Sequence, residues 1–394
     1  MTDTLVAPEP TLAPEHEEEL VSRGYSRRQA ARIATLFAVG AAIPRMAQPA
    51  FAQQSAKAVI GAVRIASNEC WTGPFPEGVA AATRNAILGN RYEPDNDHQK
   101  LFEAVAKVEG IPVESILAWP GSSDPLSRSV ITFCSPKRAL VTANPSYEQG
   151  WRTAQWLGAK LTRVPMTPDH RHDVKAMLAA EPNAGMFYIC SPNNPTGTVT
   201  PLEDVKWLLA NKKPDSIVVV DEAYIHWTDV PRAAKLAASR DDMLVLRTFS
   251  KLFGMAGMRL GLTIGSKKLY EKMMRYDGGQ VTFMLPTTAV ACGTACITMD
   301  DKIARRKAEM IASRDMTMAH LKKRGIPYIP SEANMFMMDW GKGKDPKAMQ
   351  AAMLEQGVQI GRSWDFYPTM SRVTVGSYEE MQKFCLALDK VLMA

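Results

Sequence analysis

Cysteine is scarce and unpatterned in this chain. The six residues Cys70, Cys134, Cys190, Cys292, Cys296 and Cys385 form no CxxC pair and match no zinc-finger spacing, so buried free thiols are expected rather than a metal centre. Outside the first 52 residues nothing approaches the eighteen or so consecutive apolar residues that a membrane span needs. Charge is not concentrated either: 47 basic and 41 acidic residues leave a net +6, and the bases are scattered. That argues against a nucleic-acid partner, which requires a clustered basic face, while the small excess favours anionic small molecules. From Lys57 onward there is no repeat and no low-complexity stretch. What is present, 394 residues with 46% hydrophobic and 22% charged, is an ordinary globular composition with room for two or three domains.

At the N-terminus, Ser26-Arg27-Arg28 precedes an uncharged run over 33–42, about as long as a signal h-region and too short to span a bilayer. Pro44 and the small-x-small triplet Ala50-Phe51-Ala52 follow. The segment resembles a twin-arginine signal peptide covering 1–52. It departs from the usual pattern in Ala30 and Ala31, where bulky apolar residues are common, and in the acidic run Glu17-Glu18-Glu19 before the arginines. An ordinary amphipathic helix with two adjacent arginines is the other reading. The first reading implies a periplasmic protein carried out folded, with any cofactor already inserted and no stable membrane insertion; an unused leader implies a cytoplasmic one.

Beyond residue 57 helical and strand-like segments alternate, an α/β pattern. Strands are expected at 138–142, 186–190, 217–220, 244–246 and 260–264, as short apolar runs of the kind buried in a parallel sheet, with helices such as 202–209 between them. The pattern breaks near 280–286 and a charged helix follows over 300–324; a smaller α+β domain with strands at 334–339 and 371–375 completes the chain.

The informative polar residues sit just past strand ends, where open α/β sheets place ligands. After 186–190 comes Ser191-Pro192-Asn193-Asn194-Pro195-Thr196-Gly197, a turn that holds an amide stiffly. After 217–220 comes Asp221-Glu222-Ala223-Tyr224, and after 244–246 comes Thr248-Phe249-Ser250-Lys251 with Gly254, Gly257 and Arg259. Earlier, Pro120-Gly121-Ser122-Ser123-Asp124 opens a helix with hydroxyls and backbone amides suited to a phosphate. A lysine able to form a Schiff base, a carboxylate for a ring nitrogen and an anion-binding helix start with an arginine are what pyridoxal 5'-phosphate requires. Burial near other cations lowers a lysine's pKa and makes it a nucleophile and proton carrier.

From about Arg64 to the C-terminus the sequence resembles the fold-type I pyridoxal-phosphate aminotransferases of class I/II, most of all the histidinol-phosphate aminotransferase group. The resemblance rests on 191–197, 221–224 and Ser250-Lys251 with Arg259, in the family's order. It implies a large domain with a mostly parallel seven-stranded sheet between helices (91–285), a C-terminal small domain (286–394) and an N-terminal arm shared with the small domain (53–90). By position, Lys251 resembles the Schiff-base lysine, Asp221 the pyridine-nitrogen partner, and Asn194 and Tyr224 the ligands of the ring oxygen. Ser122, Ser123, Ser250 and Arg259 resemble phosphate ligands, and Tyr147 the aromatic stacked on the ring. Tyr92 matches a tyrosine that reaches the phosphate of a neighbouring subunit, which implies a homodimer. Arg372 matches the arginine that grips the substrate α-carboxylate.

Two departures bear on substrate. Asn68-Glu69-Cys70-Trp71 stands where the family has Asn-Glu-Asn-Pro, which puts Trp71 at the mouth of the site. Gly357-Val358-Gln359-Ile360 is followed by Gly361, so Arg362 comes one place later than the arginine used for histidinol phosphate. With Trp71, Phe75, Trp227, Trp364 and Phe366 in entrance segments, an apolar or aromatic amino acid and a 2-oxo acid are the expected substrates, by a ping-pong route. A decarboxylase or lyase of the same fold, or an exported binding protein without turnover, are the alternatives.

Overall fold

The structure, a computed structural model, describes residues 12–38, 61–276 and 285–393. The strands are β1 Val63–Ile65, β2 Ile116–Trp119, β3 Leu140–Asn144, β4 Leu161–Pro165, β5 Met186–Cys190, β6 Ile217–Asp221, β7 Met243–Thr248, β8 Gly261–Ile264, β9 Tyr328–Ile329, β10 Met335–Asp339, β11 Val358–Ile360 and β12 Met370–Thr374. The helices named below are α1 Pro14–Ser22, α2 Arg27–Ala38, α3 Pro76–Ala86, α4 Asp97–Glu109, α5 Ser123–Phe133 and α6 Gln149–Leu157.

Strands β2 to β8 form one sheet in the order β2-β8-β7-β6-β5-β3-β4. Every neighbour pair from β7 to β4 is parallel, and β8 runs against both β7 and β2. This is the expected mostly parallel seven-stranded sheet. Every residue of β5 and β6 is buried, because helices cover both faces and an apolar side chain is needed on each. Their side chains alternate between two cores: Phe187, Ile189, Val218 and Val220 enter one, Met186, Tyr188, Ile217 and Val219 the other. The strand expected at 138–142 begins two residues later, since Arg138 bridges back to Ser135 and its guanidinium donates to the Ala184 carbonyl at 2.9 Å. The strand expected at 260–264 is the antiparallel one.

The smaller unit holds an antiparallel sheet, β12-β10-β9, and a parallel pair in which Val63 of β1 faces Val358 of β11. The charged helix spans Asp300–Lys323, and a last helix, Tyr378–Met393, closes the chain. Helix α3 lies on helix Thr287–Ile297. Gly78 permits the approach: a Cβ there would stand 2.3 Å from the Cys296 sulfur. Cys292 and Cys296 pack in this core, and all six cysteines are free thiols. The break in the pattern at 280–286 falls partly outside the described residues.

The first described residues are folded. Helices α1 and α2 form a hairpin against the large domain, turned by a capping box in which the Ser26 amide donates to Gln29 Oε1 (2.8 Å) and the Gln29 amide to Ser26 Oγ (3.3 Å). Helix α2 buries Ala30, Ile33 and Ala34 and turns Arg27, Arg28, Ala31 and Arg32 outward, an amphipathic pattern. Residues 39–42 and Ala50-Phe51-Ala52 lie outside the described residues. Among those described, no helix is long and apolar enough to cross a membrane.

Candidate active site

The carboxyl ends of β2, β3, β5, β6 and β7 bring their following turns to one crevice, the position an α/β sheet offers a ligand. Lys251, just beyond β7, lies in it half-buried. Its Nζ donates to the Asn68 carbonyl at 3.1 Å and stands 5.4 Å from the centre of the Tyr224 ring. Loss of water lowers its pKa to about 8, helped by the positive heads of Arg372 and Arg259 and opposed by Glu69 and Asp221. A good part of this amine is therefore neutral near pH 8, as a nucleophile and proton carrier requires.

Asp221 ends β6 and is buried. Tyr188 Oη donates to its Oδ2 at 2.8 Å and the Ala223 amide to its Oδ1 at 3.1 Å. Burial raises its pKa to about 6, with Glu222 adding to the rise, while those two hydrogen bonds and Lys251 oppose it. A cation beside it would restore its charge, and a protonated ring nitrogen is such a cation.

At the start of α5, Ser122 occupies the cap position without a side-chain capping bond, and Ser123 Oγ lies 3.1 Å from Tyr147 Oη. Arg259 reaches over the same turn, its Nη1 3.4 Å from Ser250 Oγ. Gly121, at φ +89°, lets it do so, because a Cβ there would stand 2.1 Å from Arg259 Nη2. Ser250 is buried, its hydroxyl accepting from Thr248 Oγ1 at 2.9 Å. Hydroxyls, an exposed guanidinium and the first amides of a helix form an anion cradle. This cradle, the acid at Asp221 and the amine at Lys251 fit pyridoxal phosphate at its three distinctive points.

Arg372, on β12, donates from Nη1 to Asn194 Oδ1 at 2.8 Å and from Nη2 to the Ala66 carbonyl at 2.6 Å. Its Nε is buried without a partner, and burial with Arg362 nearby lowers its pKa to about 10. A carboxylate arriving here meets a cation short of counter-charge. Tyr224 is buried, its Oη accepting from Asn68 Nδ2 at 3.1 Å. Trp71 lies against Trp227 at 6.0 Å and 29°. Phe75 and Trp227 are core residues rather than entrance walls, the first set edge-on to Phe253. Tyr92 is 88% exposed.

Residues 61–388 match the family model of aminotransferase class I and II. The chain belongs to this family. It is 31% identical to a histidinol-phosphate aminotransferase of Symbiobacterium thermophilum, over 84% of this chain and 90% of that one. It is equally 31% identical to an aromatic amino acid aminotransferase of Rhodococcus jostii, over 82% and 88%. The histidinol-phosphate aminotransferase of Sinorhizobium meliloti, solved with pyridoxal-5'-phosphate, superposes with a TM-score of 0.75 at 26% identity, covering 84% of this chain and 91% of that one. The fold is that of the fold-type I enzymes, and the protein is a pyridoxal-phosphate-dependent aminotransferase acting on small molecules.

Several residues at this aminotransferase site are given no role by the sequence. Tyr188 is hidden in the apolar run of β5, and only its register two residues before the strand end aims it at Asp221. Asn68, at φ +54°, is fastened by Thr374, whose Oγ1 accepts from its amide at 2.9 Å and donates to its Oδ1 at 3.0 Å. Asparagine tolerates that left-handed backbone better than most residues. Glu148, next to Tyr147, holds Arg362 (2.5 Å), Trp364 Nε1 (3.0 Å) and Arg152 (2.8 Å); Arg362 and Arg372 lie 4.3 and 5.5 Å from the centre of the same Trp364 ring.

Proposed function

We propose that the enzyme moves an amino group from an apolar or aromatic amino acid to a 2-oxo acid in two half-reactions that share one site. The observation that carries this is the placement of Lys251, its pKa drawn down to about 8, between the buried acid Asp221 and the Arg372–Asn194 pair. When bound, pyridoxal phosphate supplies an electron sink for the α-carbon and holds the amino group between the halves. Arg372 binds the carboxylate of each substrate in turn and so fixes which α-hydrogen faces Lys251 Nζ. Lys251 takes that proton and returns it at the far end of the same path. Asp221 keeps a proton on the ring nitrogen.

The substrate class is supported by the mouth. The Trp364 ring lies 5.5 Å from the Arg372 guanidinium, and Arg362, the residue displaced by one place, is already paired with Glu148 rather than free for a phosphate. The exposed Tyr92 supports a homodimer in which it reaches the neighbouring cradle. The export reading is supported by Arg27, whose side chain is 90% exposed in the first turn of α2; we place the mature enzyme in the periplasm, carried there folded with its cofactor.

The test is a visible spectrum of the cofactor-loaded enzyme mixed with single amino acids. Loss of the long-wavelength band with an aromatic or apolar amino acid, and its return with a 2-oxo acid, is the expected result. A band that responds only to histidinol phosphate would overturn the substrate assignment, and release of carbon dioxide would overturn transamination.

A further inference from the structure

The N-terminal hairpin touches the large domain at the far end of the helix that holds the cradle. Leu20, Tyr25, Ala30 and Ile33 form one buried cluster with Ile131, Leu157 and Tyr276. Arg23 Nη2 donates to the carbonyls of Ile131 (2.7 Å), Thr132 (2.8 Å) and Cys134 (2.7 Å), and its Nη1 to Tyr276 Oη (2.9 Å). Tyr25 Oη donates to the Cys134 carbonyl at 2.9 Å, and Gln29 Nε2 to the Leu157 carbonyl at 2.8 Å. The last carbonyls of a helix lack partners within it, and a cation there opposes the helix dipole; α5 receives both from Arg23, and α6 receives the Gln29 amide together with Arg32, whose Nη1 donates to the Trp156 carbonyl at 3.4 Å. The acidic run also has a use, since Glu19 pairs with Arg275 at 2.6 Å. These contacts are side-chain specific and come from three separate parts of the large domain.

Docking has a consequence for the arginine-pair segment. Arg27 and Arg28 face outward, but Ile33 and Ala34, the first residues of the apolar run, are buried under the hairpin. A leader works by giving that run to another apolar environment, so the docked and the leader conformations exclude each other at Ile33. We propose that the hairpin is a clasp held by the folded large domain, and that the same segment caps the ends of α5 and α6 when docked and directs export only when released. The second half rests on the export reading above; the first half does not.

The experiment uses the full-length, cofactor-loaded enzyme made in a bacterium with a twin-arginine translocase, in four forms: unaltered, Leu20→Asp with Arg23→Ala, Gln29→Ala, and Arg27→Lys with Arg28→Lys. Two quantities are read, the tryptic cleavage rate after residues 28 and 32 in the purified cytoplasmic enzyme, and the share of chain outside the cytoplasm. The first variant is expected to be cut at least about tenfold faster than the unaltered chain, with its cofactor band unchanged, and to be exported several-fold more. Gln29→Ala, which removes the bond to the Leu157 carbonyl and the Gln29 half of the capping box but leaves the Arg23 contacts, gives a smaller rise in both and serves if the double variant does not fold. Equal cleavage rates in all forms would overturn the clasp. Faster cleavage with an unchanged exported share, while the arginine-pair variant loses export, would overturn the coupling and leave the export reading standing. An arginine-pair variant exported like the unaltered chain would remove the export reading and the coupling with it, and the cleavage rates would still decide the clasp.

Discussion

The cofactor side and the substrate side of this crevice are built differently. Lys251, Asp221, Ser250 and the cradle of α5 stand on residues fixed by the ends of buried strands, and each has a defined chemical partner. The substrate side is assembled from a strand and loops far apart in sequence, with Glu148, Arg362, Trp364 and Arg372 paired to one another or to backbone carbonyls. Under the proposed function, the first region decides that a reaction occurs, and the second decides with what. Chemistry that must not move is anchored to the sheet; selectivity, which tolerates rearrangement, is carried by side chains that already satisfy each other.

Substitutions should divide along that line. Lys251→Ala removes the nucleophile and proton carrier together, and kcat should fall by about 10⁴-fold or more in steady-state assays while the cradle still retains cofactor through dialysis. Asp221→Asn keeps the shape but not the charge; a loss of about 10²- to 10³-fold in kcat with little change in KM is expected. A change confined to KM would place Asp221 on the wrong side of the comparison. Arg372→Lys replaces a forked cation with a point charge, and kcat/KM should drop by about 10²-fold, mostly through KM, when initial rates are compared across substrate concentrations.

Smaller effects sharpen the contrast. Because burial holds Lys251 near pKa 8, below the ordinary lysine range, the neutral fraction rises from about one tenth at pH 7 to about nine tenths at pH 9. Capture of pyridoxal phosphate by the apoenzyme, followed by absorbance, should quicken about tenfold over that interval. The same shift makes the apoenzyme's stability increase as pH climbs from about 8 towards the unfolded lysine value, since the folded chain no longer carries a poorly hydrated ammonium. Glu148→Gln, which loosens Arg362 without touching the cradle, should change the ratio of kcat/KM between aromatic and acidic amino acids by about fivefold and leave cofactor affinity alone.

The same division explains what was legible in the sequence. Motifs after strand ends picked out the polar residues that meet in the crevice, because a parallel strand is a continuous apolar run and its end is marked by the first polar residue. Five of the seven strands, β3 and β5 to β8, followed from the same runs, while the count of seven came from the resemblance to the family; the reversed direction of β8 did not follow, since an apolar run carries no sign of direction. Tyr188 was invisible because a tyrosine inside a buried strand reads as packing. Phe75 and Trp227 looked like entrance residues for the opposite reason: aromatic identity does not say which way a ring faces. The hairpin of α1 and α2 carried two competing patterns, arginine pair and amphipathic helix, and its docking partners, the carbonyl ends of α5 and α6 with Arg275 and Tyr276, are distant in sequence.

The pairing of β1 with β11 also sets an order of events during synthesis. Val63 leaves the ribosome long before Val358, and at about 5–20 residues per second the wait for its partner is on the order of tens of seconds. The residues that receive the hairpin are complete once Tyr276 has emerged, and so are β2 to β8. A nascent chain thus holds a finished cradle and the docking face for its own first helices while β1 still lacks a neighbour. The small domain is completed last: residues 358–360 give β1 its neighbour, and β12 and the helix Tyr378–Met393 follow.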